Sequence, residues 1–300
     1  MSQPLLLDAQ FVYLYDGTLE GLLTAVFEAF KRREYPQNIV TDHNLQQSML
    51  CSYIPTLTNV AHAERVQMGI INSLGAHSYE NVKRVFLSED ERKGGVILRY
   101  LQYTLKHGTR ARTHLAHPAV NDFEAILNTV NKEAHYMLQF VRFAQLQNGV
   151  FFSKIEPRAS VVPLIMDHFV SRFNIQPFMI HDAAHGLTGV YDMDSWWLVE
   201  ASELTLPSCT QQQDDFQALW QTFYDTIAIE ERSNPTCRRN FMPKRFWGNM
   251  CEMIPRQLRK AQPTTPTPTQ VAKQAARALP VARSQREKKA DSTALSMTLL

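Results

Sequence analysis

The sequence predicts an α+β protein with a helical N-terminal half, an antiparallel sheet with helices on one face in the second half, and a disordered C-terminal arm. Apolar residues recur at helical spacing through the first half, and from about residue 140 they fall into short runs separated by turn residues. From Gln257 onward the chain is rich in Pro, Thr, Gln and basic residues and has no aromatic side chain, so it cannot bury enough surface to fold.

The first half opens with a strand, FVYLYDGT, that meets a turn at Asp16-Gly17. Thr18 is placed to cap a helix that continues through Phe27 and Phe30. Further helices are predicted over 59–74 and 88–107, where Gly75 and Gly108 would terminate them and Ser88 with Glu91 would form a capping box. This half is therefore expected to be largely helical.

In the second half Pro118 is placed to open a helix, and Asn148-Gly149 between two apolar runs predicts a two-residue hairpin turn. A helix over 160–173 and strands in PFMIHDAA, TGVYDM and WWLVEA follow. The last predicted helix carries an apolar stripe at helical spacing, which favours packing on the body of the protein. The stripe consists of Phe216, Leu219, Trp220, Phe223 and Ile227.

Composition and length are those of a globular protein: 300 residues, 44% hydrophobic and 20% charged. We expect a mostly helical region over 1–115, an α+β region over 116–256 packed against it, and a basic tail over 257–300; one continuous domain over 1–256 is the alternative. The four cysteines are too scattered for a disulfide framework. Neither an apolar run of membrane-spanning length nor the basic start of a secretory signal is present, so a cytoplasmic location is expected.

Charge is distributed unevenly along the chain. Residues 1–231 hold 17 Lys and Arg against 26 Asp and Glu, whereas residues 232–300 hold 14 basic against 3 acidic residues. A concentration of positive charge at one end predicts a polyanionic partner, with nucleic acid ahead of membrane, or else a solubilising tail.

Motifs of several enzyme classes are missing, among them the phosphate loop, the dinucleotide fingerprint and the nucleophile elbow. The candidate catalytic residues are polar side chains near predicted strand ends and on a helix, namely Glu156, His168, His181 and Asp182. Such groups relay protons or ligate a divalent ion if they converge, although a lone His such as His168 is more often structural. No metal site is predicted.

Basic and aromatic residues interleave near the C-terminus in ERSNPTCRRNFMPKRFWGNM. Cations attract phosphates and ring faces stack on bases, so this pattern predicts single-strand nucleic-acid binding; the alternative is that the rings pack inward and only the cations face water. The predicted nucleic-acid-binding residues are Arg142, Arg172, Arg232, Arg238, Arg239, Lys244, Arg245 and Trp247.

Six motifs in one order carry a resemblance to a known family: Tyr15-Asp16-Gly17-Thr18 with Glu20-Gly21, FVRF, IEP, HFVSRF, IHD, and ERSNP followed by MPKRFW. From Phe11 to Glu252 the chain resembles the uncharacterised "probable DNA metabolism protein" family, domain of unknown function 4130. The resemblance points to a set of motif residues: Tyr15, Asp16, Gly17, Thr18, Glu20, His135, Phe143, Pro157, Asn234, Pro235 and Pro243.

The resemblance implies a separately encoded radical-SAM partner that modifies or repairs DNA, and in some members fusion to a uracil-DNA glycosylase-like domain. It implies that the iron-sulfur cluster and S-adenosylmethionine belong to the partner, so no cofactor is expected in this chain. Where members tend to have a basic residue after IHD, this chain has Ala183, Ala184 and His185.

The leading hypothesis is therefore a nucleic-acid-binding accessory protein in DNA modification or repair, which presents DNA, single-stranded DNA included, or a displaced base to its radical-SAM partner. A uracil-DNA glycosylase-like protein is a further expected partner, and a membrane is not. The alternatives are a metal-dependent or acid/base hydrolase acting on nucleic acid, and a scaffold that docks through the acidic first part.

Overall fold

The computed structural model describes residues 10–41, 51–200 and 211–253. It combines helices with two sheets and has a helical N-terminal half, which confirms the predicted α+β class. The predicted disordered arm over 257–300 lies outside the described residues. Among the described helices, none has the length and apolar character that crossing a membrane requires.

The first half contains a three-stranded parallel sheet of which only the first strand was predicted. Strand β1, Gln10–Tyr15, lies in the centre, with β2, Asn38–Thr41, on one side and β3, Cys51–Pro55, on the other. Both outer strands run parallel to β1, so Tyr13 is paired with Ile39 and with Ile54. The carboxyl ends of the strands therefore lie at one edge.

The helices of the first half are α1, Leu19–Arg32, α2, Val60–Leu74, α3, Ala76–Phe86, and α4, Lys93–His107. Thr18 caps α1 as predicted, because its side chain accepts a hydrogen bond from the Gly21 N–H at 2.9 Å. Gly75 and Gly108 end α2 and α4 with φ of 90° and 75°, a region that glycine adopts without strain.

Two predictions for this half were wrong or incomplete. The predicted capping box at Ser88 does not start α4, which begins at Lys93; the Ser88 hydroxyl instead accepts the Asp90 N–H within a preceding turn. Helix α3 was not predicted. Only Gly75 separates it from α2, and the prediction used that glycine as the end of the helical region.

The second half consists of α5, Pro118–Phe140, β4, Ala144–Gln145, β5, Phe151–Ile155, α6, Val162–Arg172, β6, Phe178–Asp182, β7, Leu187–Tyr191, and β8, Trp196–Glu200. The five strands form one sheet in the order β4-β5-β6-β7-β8. The predicted antiparallel arrangement is correct for three pairs and wrong for β5 and β6, which are parallel. Helix α6 connects these two strands, and such a crossover returns the chain in the same direction.

The hairpin predicted at Asn148-Gly149 is present, but its turn differs from the predicted two-residue type. Gly149 N–H donates to the Leu146 carbonyl at 2.9 Å, and Leu146 N–H donates to the Val150 carbonyl at 2.9 Å. Of the two turn residues only Gly149 has positive φ. The loop is therefore a three-residue one with glycine in the left-handed position.

One hydrophobic core joins the two halves, since a continuous cluster includes Tyr13 from β1, Phe123 from α5 and Phe178 from β6. Helix α6 packs closely on the second sheet at Gly189, where a Cβ atom would overlap the side chain of Met166. This packing covers one face of the sheet, and the Asp182 side chain lies on that face.

The chain continues with α7, Gln211–Ile227, and α8, Pro235–Phe241, followed by 3₁₀ turns at Lys244–Asn249 and Cys251–Met253. The prediction that the α7 stripe packs on the body is wrong for the described part of the chain: Phe216 is 65% exposed and Phe223 51%. Helix α7 is held from another side, where Gln221 is buried and donates to the Cys251 carbonyl at 2.8 Å.

Candidate functional site

Residues 230–253 form a C-terminal segment whose turns are set by the predicted motif residues. The Asn234 side chain accepts the Cys237 N–H at 2.9 Å and so caps α8, and Pro235 occupies the first helical position. Pro243 precedes the next 3₁₀ turn. These residues therefore fix the path of the backbone that carries the basic side chains.

A buried ion pair attaches this segment to α5. The Arg245 guanidinium donates two hydrogen bonds to the Glu133 carboxylate, each at 2.5 Å, and Glu133 is only 3% exposed. Glu133 also accepts the Arg158 N–H at 2.9 Å. Phe246 is buried against Tyr136 and Phe140, with ring centroids 5.4 Å from each.

A second ion pair lies at the end of the segment. Arg142 donates to the buried Glu252 carboxylate at 2.7 Å and 3.2 Å. Burial alone would raise the pKa of Glu252, but the hydrogen bonds it accepts and the charge of Arg142 lower it below its ordinary value. Arg142 and Arg245 were predicted to contact nucleic acid; the structure engages both guanidinium groups with buried carboxylates, which gives them an anchoring role.

The remaining predicted cations of the segment face solvent. Arg232, Arg238, Arg239 and Lys244 are exposed, and none of them takes part in an ion pair within the described residues. Arg238 and Lys244 lie over the half-buried Trp247 ring, 5.3 Å and 6.0 Å from its centroid.

We call these four cations, Trp247 and Phe241 the basic–aromatic surface. Phe241 is 75% exposed. The Trp247 N–H donates to the Met242 carbonyl at 3.0 Å, which orients the ring. Arg172 is the remaining residue predicted to bind nucleic acid. It is exposed at the end of α6 and does not belong to the C-terminal segment.

The structure separates the predicted catalytic residues. Glu156 is exposed and pairs with Lys154 at 2.8 Å, and His168 is exposed on α6. His181 and Asp182 are neighbours in β6, so their side chains point to opposite faces of the sheet. Within the described residues no three or more His, Cys, Asp or Glu side chains gather as metal ligands.

Asp182 instead pairs with His185, a partner that the sequence reasoning missed. The Asp182 carboxylate is fully buried and lies 2.7 Å from His185 Nδ1, and it also accepts the backbone N–H groups of Ala184 and His185. The four-residue turn between β6 and β7 brings a side chain three positions later back to the aspartate. An Asp-x-x-His spacing at a predicted strand end is the signal that could have identified the pair.

The two histidines of this region have opposite pKa shifts. The hydrogen bond to Asp182 raises the pKa of His185, against the effect of burial. Burial lowers the pKa of His181, against the effect of the Asp182 charge, and its Nδ1 lies 2.9 Å from the Thr188 hydroxyl. His185 is therefore the histidine that more readily carries a proton near neutral pH.

A cavity of about 370 Å³ lies beside His185, at the carboxyl ends of β1 and β2. Tyr15, Gly17, Lys93, Ser160 and His185 are among the residues that line it. Lys93 Nζ donates to the carbonyls of Phe86 and Ser88, each at 2.8 Å, and burial lowers its pKa. The cavity thus has at its edge an imidazole whose pKa is raised by Asp182, and in its wall an amine whose pKa is lowered by burial.

Tyr15 and Gly17 of the Tyr15–Thr18 motif line this cavity, and Asp16 between them holds the turn through its hydrogen bonds. Its carboxylate accepts the Thr18 N–H at 2.9 Å, the Thr18 hydroxyl at 2.6 Å and the Thr58 hydroxyl at 2.7 Å. Glu20 is exposed in the first turn of α1.

The remaining motif residues have separate positions. Phe143 packs edge-on against Phe169, Phe173 and Phe178, and Pro157 is buried. His135 lies 2.7 Å from Gln139 on the outside of α5.

Fold and site together define an α+β protein that carries an anchored basic–aromatic segment at the end of its second half. The chain belongs to the family described as "Domain of unknown function (DUF4130)", whose model matches residues 91–252. This stretch runs from just before α4 to Glu252 and includes both anchoring ion pairs, whereas the motif at Tyr15–Glu20 precedes it. Comparison with curated proteins gives no significant match.

Proposed function

We propose that this protein is a nucleic-acid-binding accessory protein in DNA modification or repair. The observation that carries the proposal is the basic–aromatic surface, in which four cations are exposed and two of them, Arg238 and Lys244, lie over a tryptophan ring held in place by its own hydrogen bond. Cations without carboxylate partners are available to phosphates, and an exposed ring face stacks on an unpaired base. The buried ion pairs of Arg142 and Arg245 support the proposal because they fix this surface on the body.

The nucleic acid proposed is single-stranded or locally unpaired DNA. Stacking on Trp247 or Phe241 requires an accessible base face, which an intact duplex does not offer. In the proposed scheme the protein presents the strand, or a displaced base, to a separately encoded radical-SAM protein that carries the iron-sulfur cluster and S-adenosylmethionine. That partner, and a uracil-DNA glycosylase-like protein as a second one, are proposed from the family resemblance alone.

Fluorescence anisotropy with a labelled single strand and its duplex, measured across a salt series, tests the proposal. Each phosphate contact contributes about −0.7 to the slope of log affinity against log salt for single strands, so replacing Arg238, Arg239 and Lys244 by Gln should make the slope shallower by about 2. The matched control replaces Arg65, Lys106 and Arg110, which are exposed cations elsewhere with no ion pair among the described residues, and should leave the slope unchanged.

The aromatic part of the surface is tested separately by Trp247→Ala. We expect a loss of roughly 1 to 3 kcal/mol in single-strand affinity at an unchanged salt slope, because stacking is not electrostatic. Equal affinity for the single strand and the duplex, or an equal effect of the control triple variant, would rule out this use of the surface.

A second candidate function is acid/base catalysis, which the Asp182–His185 pair beside the 370 Å³ cavity favours. A buried carboxylate that orients a partly exposed imidazole is an arrangement suited to proton transfer. Turnover of a nucleic-acid substrate that disappears in His185→Gln, while DNA binding persists, would establish this function. Unchanged turnover in that variant would exclude His185 as the acid or base.

A further inference from the structure

A second, larger groove lies between helices of the two halves of the chain. It has a volume of about 880 Å³ and is formed by α3, the 3₁₀ turn Thr109–Thr113, α5 and α6. This size falls within the roughly 300 to 1,000 Å³ that small-molecule sites occupy. Neither the basic–aromatic surface nor the Asp182–His185 pair contributes to its lining.

Two arginines supply the positive charge of this groove. Arg84 donates to the Asn131 side chain at 2.7 Å, and Arg112 donates to the buried Ser78 hydroxyl at 3.1 Å. Both partners are neutral, and among the described residues neither arginine forms an ion pair with a carboxylate. Each guanidinium has five N–H donors, so both positions keep donors and charge for an external oxyanion.

The other lining residues differ from those of a simple anion site. Leu127, Leu138 and Leu164 give the groove an apolar floor, and Asn81 and Asn128 add amides that both donate and accept hydrogen bonds. An apolar floor suits the face of a planar ring, and amides suit the hydrogen-bonding edge of a base or the hydroxyls of a sugar. Inorganic phosphate would use the arginines and leave the remainder of the groove unfilled.

We propose that this groove binds a nucleoside monophosphate, either free or as the end of a strand, with its phosphate between Arg84 and Arg112. The inference does not depend on DNA binding by the basic–aromatic surface, because the two sites share no residue. The ligand class follows from the combination of two guanidinium groups, several amides and an apolar floor in one groove.

Two carboxylates of the lining oppose this assignment, Glu80, which pairs with Lys83 at 2.7 Å, and Glu124. Glu124 interacts electrostatically with Arg112 and His77. Burial raises its pKa, although both positive groups act in the opposite direction. A carboxyl that takes up a proton more readily repels a phosphate less. Glu124→Gln should therefore strengthen binding, whereas a carboxylate needed only to balance Arg112 would not produce that effect.

Isothermal titration of the full chain with the four deoxynucleoside monophosphates tests the proposal. We expect saturable binding of at least one, weakened at least about tenfold in R84Q and in R112Q through loss of a charge-assisted hydrogen bond. R110Q is the matched control, because Arg110 is an exposed cation in the same turn but does not line the groove, and it should bind within about twofold of the original chain.

Three further arms decide the ligand class. The nucleoside without phosphate and inorganic phosphate alone should each bind more weakly than the monophosphate, and a short strand with a 5′ phosphate should compete with the monophosphate only if strand ends enter. Equal binding of nucleoside and monophosphate, an equal loss in R110Q, or no saturable binding in any arm would overturn the proposal.

Two controls keep the result interpretable. If R84Q or R112Q unfolds, N128A serves instead, since Asn128 is exposed on α5 and its loss should still weaken binding several-fold. The triple variant of Arg238, Arg239 and Lys244 should retain monophosphate binding while it loses DNA. Failure of either proposal is therefore visible separately from failure of the other.

Discussion

At the scale of single residues, the arginines of this protein divide into those that hold the fold and those that face solvent. Arg142 and Arg245 meet buried carboxylates, whereas Arg238 and Arg239 lie on the surface. The sequence places all four in basic and aromatic surroundings and predicts one role for them. The partners Glu133 and Glu252 lie 112 and 110 positions away along the chain, so local sequence could not identify the pairs.

Loss of the Glu133 carboxylate should destabilise the protein strongly. Glu133→Ala leaves the Arg245 guanidinium and the Arg158 N–H without their acceptor, which should cost roughly 2 to 3 kcal/mol in the free energy of unfolding. Urea denaturation measures this change. Glu80→Ala, which breaks an exposed pair with Lys83, is the control and should cost below about 1 kcal/mol; equal losses would show that the buried pair has no special weight.

The two histidines near Asp182 should give stability a two-sided dependence on pH. The pKa of His185 is raised in the folded protein. The contribution of His185 to the free energy of unfolding is therefore fully present below the ordinary pKa of 6.5 and is lost as pH rises through the folded pKa. The folded protein has a lowered pKa at His181, so stability is lost as pH falls below 6.5 toward that pKa.

Nuclear magnetic resonance titration of the imidazole C–H signals, assigned with His181→Gln and His185→Gln, checks this prediction. The His185 midpoint should lie above that of His181 and should fall in Asp182→Asn. An unchanged His185 midpoint in that variant would show that Asp182 is not its main partner.

At the scale of elements, close backbone packing decides where glycine is required. A Cβ atom at Gly94, in the first turn of α4, would overlap the backbone carbonyl of Ile39 in β2. A Cβ atom at Gly69, within α2, meets nothing within 4 Å. The two glycines are alike in the sequence and differ only in what faces them.

Gly94→Ala and Gly69→Ala should therefore change stability in opposite directions. The first should destabilise by roughly 1 to 3 kcal/mol, because a backbone carbonyl cannot move aside as a side chain can. The second should stabilise by about 0.5 to 1 kcal/mol, because alanine favours the helix. Thermal and urea unfolding measure both, and the same sign for the two variants would contradict the packing described for α4 and β2.

The elements also show how far sequence patterns reach. Strand β1, helix α5 and the three strands β6, β7 and β8 were predicted because each has an apolar pattern beside a clear turn or proline signal. Strands β2 and β3 have four and five residues and pair with β1 only through long-range contacts, so no local pattern indicates them. The α7 stripe satisfies the helical period without packing inward, since periodicity shows that a face is apolar and not what covers it.

At the scale of the whole molecule, the core is continuous across the boundary predicted near residue 115. Val96 and Tyr100 of α4 belong to the same buried cluster as Phe123 of α5 and Ile165 of α6, and the Tyr100 and Phe123 rings stack at 3.8 Å. The division into 1–115 and 116–256 stays a prediction, and the shared cluster is a reason to expect its alternative, one continuous domain over 1–256.

The protein should therefore unfold in a single cooperative transition. Far-ultraviolet circular dichroism follows the helices of both halves, whereas tryptophan fluorescence reports on the second half alone, where Trp196, Trp197, Trp220 and Trp247 all lie. The two signals should coincide in urea. Separate midpoints would instead show that the helical first half and the sheet unfold independently.

The candidate sites are the part of the molecule that the sequence predicts least well. The sequence offers Asp182 and the basic C-terminal segment as candidates, which stay predictions, whereas the Asp182–His185 contact and the groove lined by Arg84 and Arg112 depend on how separate parts of the chain meet. The turn between β6 and β7 creates the Asp182–His185 pair, and the packing of α3 on α5 creates the groove. Both require three-dimensional distances that a linear pattern does not contain.

The long separation within the two anchoring ion pairs has a consequence for synthesis. A ribosome produces Glu133 and Arg142 more than a hundred residues before Arg245 and Glu252. The side chains of Glu133 and Arg142 therefore lack these ion-pair partners in the growing chain until residues 245 and 252 have been synthesised. The cationic face is thus oriented late in translation, after most of the core has been made, and an incomplete chain would lack it.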